Sequence, residues 1–112
     1  MTKTDKANYC IVTDDKNDVK GFANYLSNYA YDELKDQHIV VDLLKYGKLT
    51  LDELLLFLKL SITHRKAKKS FVIVNDTINI DQVPDELAVV PTLREAADFI
   101  QMEDLERDFG VF

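Results

Sequence analysis

The chain has 112 residues, 46% hydrophobic and 30% charged, with fourteen basic side chains against twenty acidic ones and a formal net charge of −6. One domain of that size buries roughly two-thirds of its unfolded surface, enough for a core without staples. The acidic balance repels polyphosphate and argues against nucleic acid as a partner. The apolar share argues against disorder. No apolar run approaches the roughly 18 residues that span a bilayer. Cys10 is the one cysteine, so no internal disulfide is possible. With a polar segment over residues 1–8 in place of a signal peptide, the expectation is a single cytoplasmic domain over residues 1–112.

Residues 8–13 (NYCIVT) form a β-prone run ended by Asp14, Asp15 and Lys16, which predicts a first strand. Asn17 and Asp18 offer helix caps. Val19, Phe22, Leu26, Tyr29 and Ala30 follow at helical spacing, predicting a helix over residues 18–34 with Gly21 as its weak spot. Residues 38–44 (HIVVDLL) are too short for a helix and read as a strand buried on both faces, the mark of a parallel sheet. A turn through Lys45, Tyr46, Gly47 and Lys48 leads to Thr50-Leu51-Asp52-Glu53, a capping box. The helix it opens is expected to run to Lys66, where His64, Arg65 and Lys66 complement the negative end of the dipole.

Residues 70–75 (SFVIVN) predict a third strand, and residues 78–86 a loop with one helical turn. Residues 88–90 predict a brief fourth strand, stopped by Pro91. Thr92-Leu93-Arg94-Glu95 repeats the capping box, and Leu93, Ala96, Ala97 and Ile100 give the last helix its face. Beyond Ile100 the apolar stripe shifts to Met102, Leu105 and Phe109, and Gly110 ends the helix. This alternation predicts an α/β fold: a mainly parallel sheet of about four strands with helices packed against it through right-handed crossovers.

Few residues carry chemistry. His38 and His64 lack the short spacings of metal ligands and read as surface or capping histidines, so no metal or cofactor is expected. Cys10 reads as a small buried hydrophobe. No phosphate-cradling glycine loop and no nucleophile elbow are present, and the chain reads as a non-enzyme. The basic run over residues 64–69 lacks interleaved aromatics and reads as a solvated helix terminus. Asp14, Asp15 and Asp42 fall at strand ends, where ligands of open parallel sheets bind. They define an alternative function, a receiver-like domain that holds Mg²⁺ and accepts a phosphoryl group. The receiver pattern, however, has five βα units and a lysine after the last strand, where this chain has Val90-Pro91-Thr92.

The second helix carries a surplus of apolar residues. Leu51, Leu54, Leu55, Leu58 and Ile62 share one stripe at 100° per residue, while Leu56, Phe57 and Leu60 project from the other side. Either another part of the chain covers them, with Met102, Leu105 and Phe109 as the natural cover, or they form an interface.

Nearly the whole chain resembles the STAS domain, the module named for sulfate transporters and anti-sigma-factor antagonists. The resemblance rests on Val40-Val41-Asp42-Leu43-Leu44, the short connection to a capped leucine-rich helix, Phe71-Val72-Ile73-Val74-Asn75, and Val89-Val90-Pro91-Thr92-Leu93-Arg94-Glu95-Ala96. It implies a STAS-like fold and a non-catalytic regulatory module that binds a protein partner or a second copy of itself. In regulatory members a serine at the helix N-terminus takes a phosphate. The matching positions here are Leu51 and Asp52, which cannot be phosphorylated as serine is. The expected docking residues are Tyr46, Lys48 and Asp52, with Leu56, Phe57 and Leu60 supplying apolar area. The tail over residues 102–108 is also similar to that of short bacterial chains called ribonuclease Z, but two distant histidines cannot supply that enzyme's H-x-H-x-D-H zinc cluster.

Overall fold

The apolar runs pair into a five-stranded mixed sheet in the computed structural model, which describes residues 1–110. Strands β1 (Thr2–Asp5), β2 (Tyr9–Thr13), β3 (His38–Asp42), β4 (Phe71–Val74) and β5 (Ala88–Val90) lie side by side in chain order. The first pair is antiparallel, with Thr4 opposite Ile11, and the other three are parallel, with Ile39 opposite Cys10 and Phe71. The α/β class and the parallel core agree with the sequence pattern. The strand count does not: five form, and β1 is the addition. Its four residues are all exposed, so it had no buried face to mark it in the sequence.

The expected first helix forms over the predicted length, as α1 (Val19–Tyr25), a π-helical turn (Leu26–Ala30) and α2 (Tyr31–Leu34). Asp18 caps it, its carboxylate accepting from the Gly21 amide at 3.0 Å. A Cβ at Gly21 would fall 2.4 Å from that carboxylate, so the glycine makes room for the cap. After β3 come a 3-10 turn (Leu44–Tyr46), α3 (Leu51–Leu55) and α4 (Leu58–Lys66); a 3-10 turn (Ile80–Gln82) precedes β5, and α5 (Leu93–Asp108) follows it. No helix among the described residues is long and apolar enough to cross a membrane.

Strand alternation divides the interior into two cores. On one face, Cys10, Val12, Ile39, Val41, Phe71, Ile73 and Val89 pack with residues of α1 through α4. On the other, Val40, Val72 and Val74 pack with Ala96 and Ile100 of α5.

The second helix departs from expectation in two ways. It is broken in the middle: the amides of Leu56 and Phe57 bond back three residues, to Glu53 O at 3.3 Å and Leu54 O at 3.1 Å. Its buried side is also different. Leu54, Phe57, Leu60, Ser61 and His64 turn inward, while Leu51, Leu55, Leu58 and Ile62 are half-buried. Phe57 is 0% exposed and Leu60 7%, against 40% for Leu56, so only Leu56 of the three expected interface residues reaches the surface. The cover comes from the first helix rather than the tail. Phe22 meets Phe57 edge to face at 6.3 Å, whereas Met102, Leu105 and Phe109 are exposed on the helix of the other core.

Truncating a fully enclosed phenylalanine forfeits its transfer energy and leaves a cavity. Phe57→Ala is expected to destabilise the fold by about 3–5 kcal/mol, and Leu56→Ala by less than about 1 kcal/mol. Denaturant unfolding of the two variants checks the difference; equal losses would return Phe57 to the surface.

Candidate docking site at the carboxyl edge of the sheet

The strands β2, β3 and β4 end along one edge, and their exits are tied to each other. The loop over residues 43–49 passes between them. Asn75, buried at the exit of β4, donates from Nδ2 to Leu43 O at 3.3 Å and Gly47 O at 3.0 Å. Its Oδ1 accepts from the Thr77 amide at 2.9 Å and the Thr77 hydroxyl at 2.8 Å. Thr77 Oγ1 also contacts Gly47 O at 2.9 Å and accepts from the Leu49 amide at 3.2 Å. Gly47 has φ 63°, a left-handed conformation that a side chain would strain. The other flank is held from β2: the Tyr46 hydroxyl donates to Asp14 Oδ2, and Lys45 Nζ donates to the Asp14 carbonyl. Lys45 also stands 5.6 Å over the Tyr46 ring.

This loop delivers the chain to α3 with its cap preassembled. The Glu53 amide donates to Thr50 Oγ1 at 3.1 Å, and Glu53 Oε1 accepts from the Thr50 amide at 3.0 Å and the Thr50 hydroxyl at 3.1 Å. The hydroxyl is thus used as acceptor and donor at once. Of the expected docking residues, Lys48, Asp52 and Leu56 are exposed around this cap and Tyr46 is half-buried beside Asp14. Phe57 and Leu60 lie beneath in the core. At the positions matching a phosphoserine, Leu51 is half-buried against the first core and Asp52 points to water in the first turn of α3.

The three acids of the receiver-like alternative do not converge. Burial works to raise the Asp14 pKa, but the Tyr46 hydroxyl, the Lys16 and Asp18 amides and the Lys45 charge outweigh it and hold the carboxyl below its ordinary value. The Tyr46 phenol is driven upward by burial and then by Asp14. Asp15 is engaged by the Met1 ammonium at 2.7 Å and by Thr2, which keep its carboxyl low. Asp42 alternates with Val41 and therefore lies on the α5 side of the sheet, where its Oδ1 accepts from the Leu44 amide at 3.0 Å. Among the described residues no three His, Cys, Asp or Glu side chains are placed to hold a metal ion.

Both histidines are core residues, contrary to the surface or capping positions expected of them. His64 is 0% exposed: Nε2 donates to Gln37 O at 2.8 Å, and Nδ1 lies 2.9 Å from the Tyr31 hydroxyl. His38, at the opposite edge, accepts the Ser70 amide on Nδ1 at 2.8 Å, which leaves Nε2–H facing Asp104 at 2.9 Å. Ser70 is buried too, but its hydroxyl donates to Glu103 at 2.6 Å and accepts from Arg107 at 3.0 Å. Serine, histidine and aspartate are close without being a triad, because neither ring nitrogen receives the serine hydroxyl. Sequence reasoning missed this cluster, and missed Asn75 and Thr77 as the loop's fasteners; the one local signal was the Asn-Asp-Thr run closing the third strand.

No protein-family model matches the chain, and no curated protein is significantly similar to it.

Two outcomes are expected. Thr50→Ala should lower stability by about 1 kcal/mol in denaturant melts, and an unchanged midpoint would leave the hydroxyl without a capping role. Burial depresses the His64 pKa from 6.5 to about 4, so the unfolded chain takes up its proton first. The stabilisation is complete above pH 6.5 and fades as the pH falls towards 4, by about 2–3 kcal/mol. His38, also depressed by burial against the pull of Asp104, adds in the same direction. Melting temperature measured across this window should fall less steeply in His64→Gln than in the wild type.

Proposed function

We propose that the protein is a non-catalytic, STAS-like regulatory module that docks a partner protein, or a second copy of itself, on the loop over residues 43–49 and the exposed side of α3. The observation that carries this reading is the fastening of that loop from both flanks, by Asn75 and Thr77 on one side and Asp14 on the other. A loop ordered before binding loses little conformational freedom on docking, so more of the contact energy appears as affinity. It presents Lys45 and Lys48 as cations, Asp52 as an anion and Leu56 as an apolar anchor, with half-buried Tyr46 and Leu55 between them. Mixed charge around a small apolar centre is the composition of a protein-binding surface.

The STAS resemblance supports the same reading. The segments that carry it fall on β3, on the capped α3, on β4, and on the β5-to-α5 turn. The phosphorylation control of that family is not part of the proposal. Leu51 and Asp52 offer no hydroxyl, and that of Thr50 is taken up by the cap. Asp52 instead supplies a standing negative charge in the first turn, where the helix dipole favours it. The receiver-like alternative has less support, since Asp14, Asp15 and Asp42 are each committed to a local contact.

Amide resonances separate these readings. With a captured partner, or at concentrations where light scattering shows a dimer, shifts should centre on residues 45–56. Lys48→Glu and Leu56→Asp should weaken that association while leaving the fold intact. Saturable shifts of Asp14, Asp15 and Asp42 with Mg²⁺ and beryllofluoride would overturn the docking reading in favour of a phosphoacceptor.

A further inference from the structure

The last helix has an apolar seam on its outer side. Ala96 and Ile100 turn to the sheet, and Met102, Leu105 and Phe109 turn away from it, exposed by 55%, 50% and 80%. Their spacing of three and then four residues aligns them along one line of the helix, as alternating seam positions of a coiled coil are aligned. Among the described residues no core contact comes from that side, and α5 is the one long helix packed on the second core. Three large apolar side chains in one exposed line are the mark of an interaction surface.

The rim of the seam decides what can lie on it. Glu95, Asp98 and Asp108 are exposed and Glu106 is half-buried, with Arg94 as the one exposed base of the helix. We propose that this seam docks a basic amphipathic helix of a partner protein, its apolar side chains meeting Met102, Leu105 and Phe109 and its lysines or arginines facing Glu95, Asp98, Glu106 and Asp108. A second copy fits poorly. A parallel two-fold sets Glu95, Asp98 and Glu106 beside their own copies, like against like, and an antiparallel one that lays Met102 over Leu105 brings Asp98 onto the apolar Phe109. An anionic lipid surface meets the same repulsion. The seam lies towards the amino edge of the sheet, where Asp104 reaches His38 at the start of β3, away from the loop over residues 43–49. It stands independently of the function proposed above.

The test uses the whole chain and a fluorescent leucine–lysine peptide with heptad spacing, beside a leucine–glutamate peptide of the same pattern. Anisotropy should show saturable binding of the lysine peptide, weakened at high salt, and none of the glutamate peptide. Leu105→Gln combined with Phe109→Ser changes only exposed positions, so its melt should match the wild type while affinity falls about tenfold or more. Asp98→Lys with Glu106→Lys should weaken binding at low salt alone. Leu56→Asp should change nothing, which separates this seam from the carboxyl-edge site. The proposal is overturned by absent binding of the lysine peptide, by equal binding of both peptides, by binding that survives Leu105→Gln/Phe109→Ser, or by a seam-dependent dimer or anionic-vesicle complex.

Discussion

The structure depends on the order in which its parallel strands are laid down. Strands β2 to β5 advance one place at a time in one direction, and a crossover between parallel neighbours is right-handed. Every connection between them must then lie on the same face. That face carries all of α1 to α4 and the larger core. The other face is left with whatever follows the last strand, which among the described residues is α5. One helix spans only part of a five-stranded sheet, so Tyr9 and Ile11 of β2 stay half-buried beside it.

The same order explains where the polar interior groups sit. The parallel strands end at two edges, and at each edge backbone amides and carbonyls leave the ladder without strand partners. At the carboxyl edge Asn75 and Thr77 take up the stranded carbonyls of Leu43 and Gly47 and so hold the loop before α3. At the amino edge the Ser70 amide is taken up by His38, and the ring is held in place by Asp104 of α5. Glu103 and Arg107 complete the closure around the Ser70 hydroxyl. Among the described residues no buried side-chain nitrogen or oxygen lacks a partner. Both clusters act alike, converting the raw end of a sheet into a fixed surface.

How far the fold could be read from the sequence follows from which forces act locally. Buried parallel strands such as Val40-Val41 and Phe71-Val72-Ile73-Val74 declare themselves as unbroken apolar runs. The Thr50 cap declares itself because donor and acceptor are three residues apart. Strand β1 was invisible, since an exposed edge strand needs only a neighbour to pair with and no apolar pattern of its own. His38 reads as a surface or capping group, and nothing local marks Ser70 or Glu103 as its buried polar neighbours, because the bonds that join them span more than thirty residues of sequence. The candidate docking loop was legible in position but not in its fastening, which comes from Asn75 and Thr77 across the sheet edge.

The second and last helices show why apolar content alone does not locate a surface. Both carry more large side chains than one stripe can use. In α3 and α4 all of the surplus but Leu56 is absorbed, because the tightened turn at Leu56 and Phe57 swings the inward side round and the first helix closes over it through Phe22. Polar Ser61 and His64 could join that buried side only because Glu86 O, Gln37 O and Tyr31 wait there to bond them. Around α5 the described residues form no such layer. The sheet takes one side of it, and the one-directional strand order has already sent every other helix to the far face. Leucine and phenylalanine on its outer line therefore have no place inside the monomer, whatever rotamer they adopt. Position in the layer order, not hydrophobicity, separates the core residue Phe57 from the exposed Phe109.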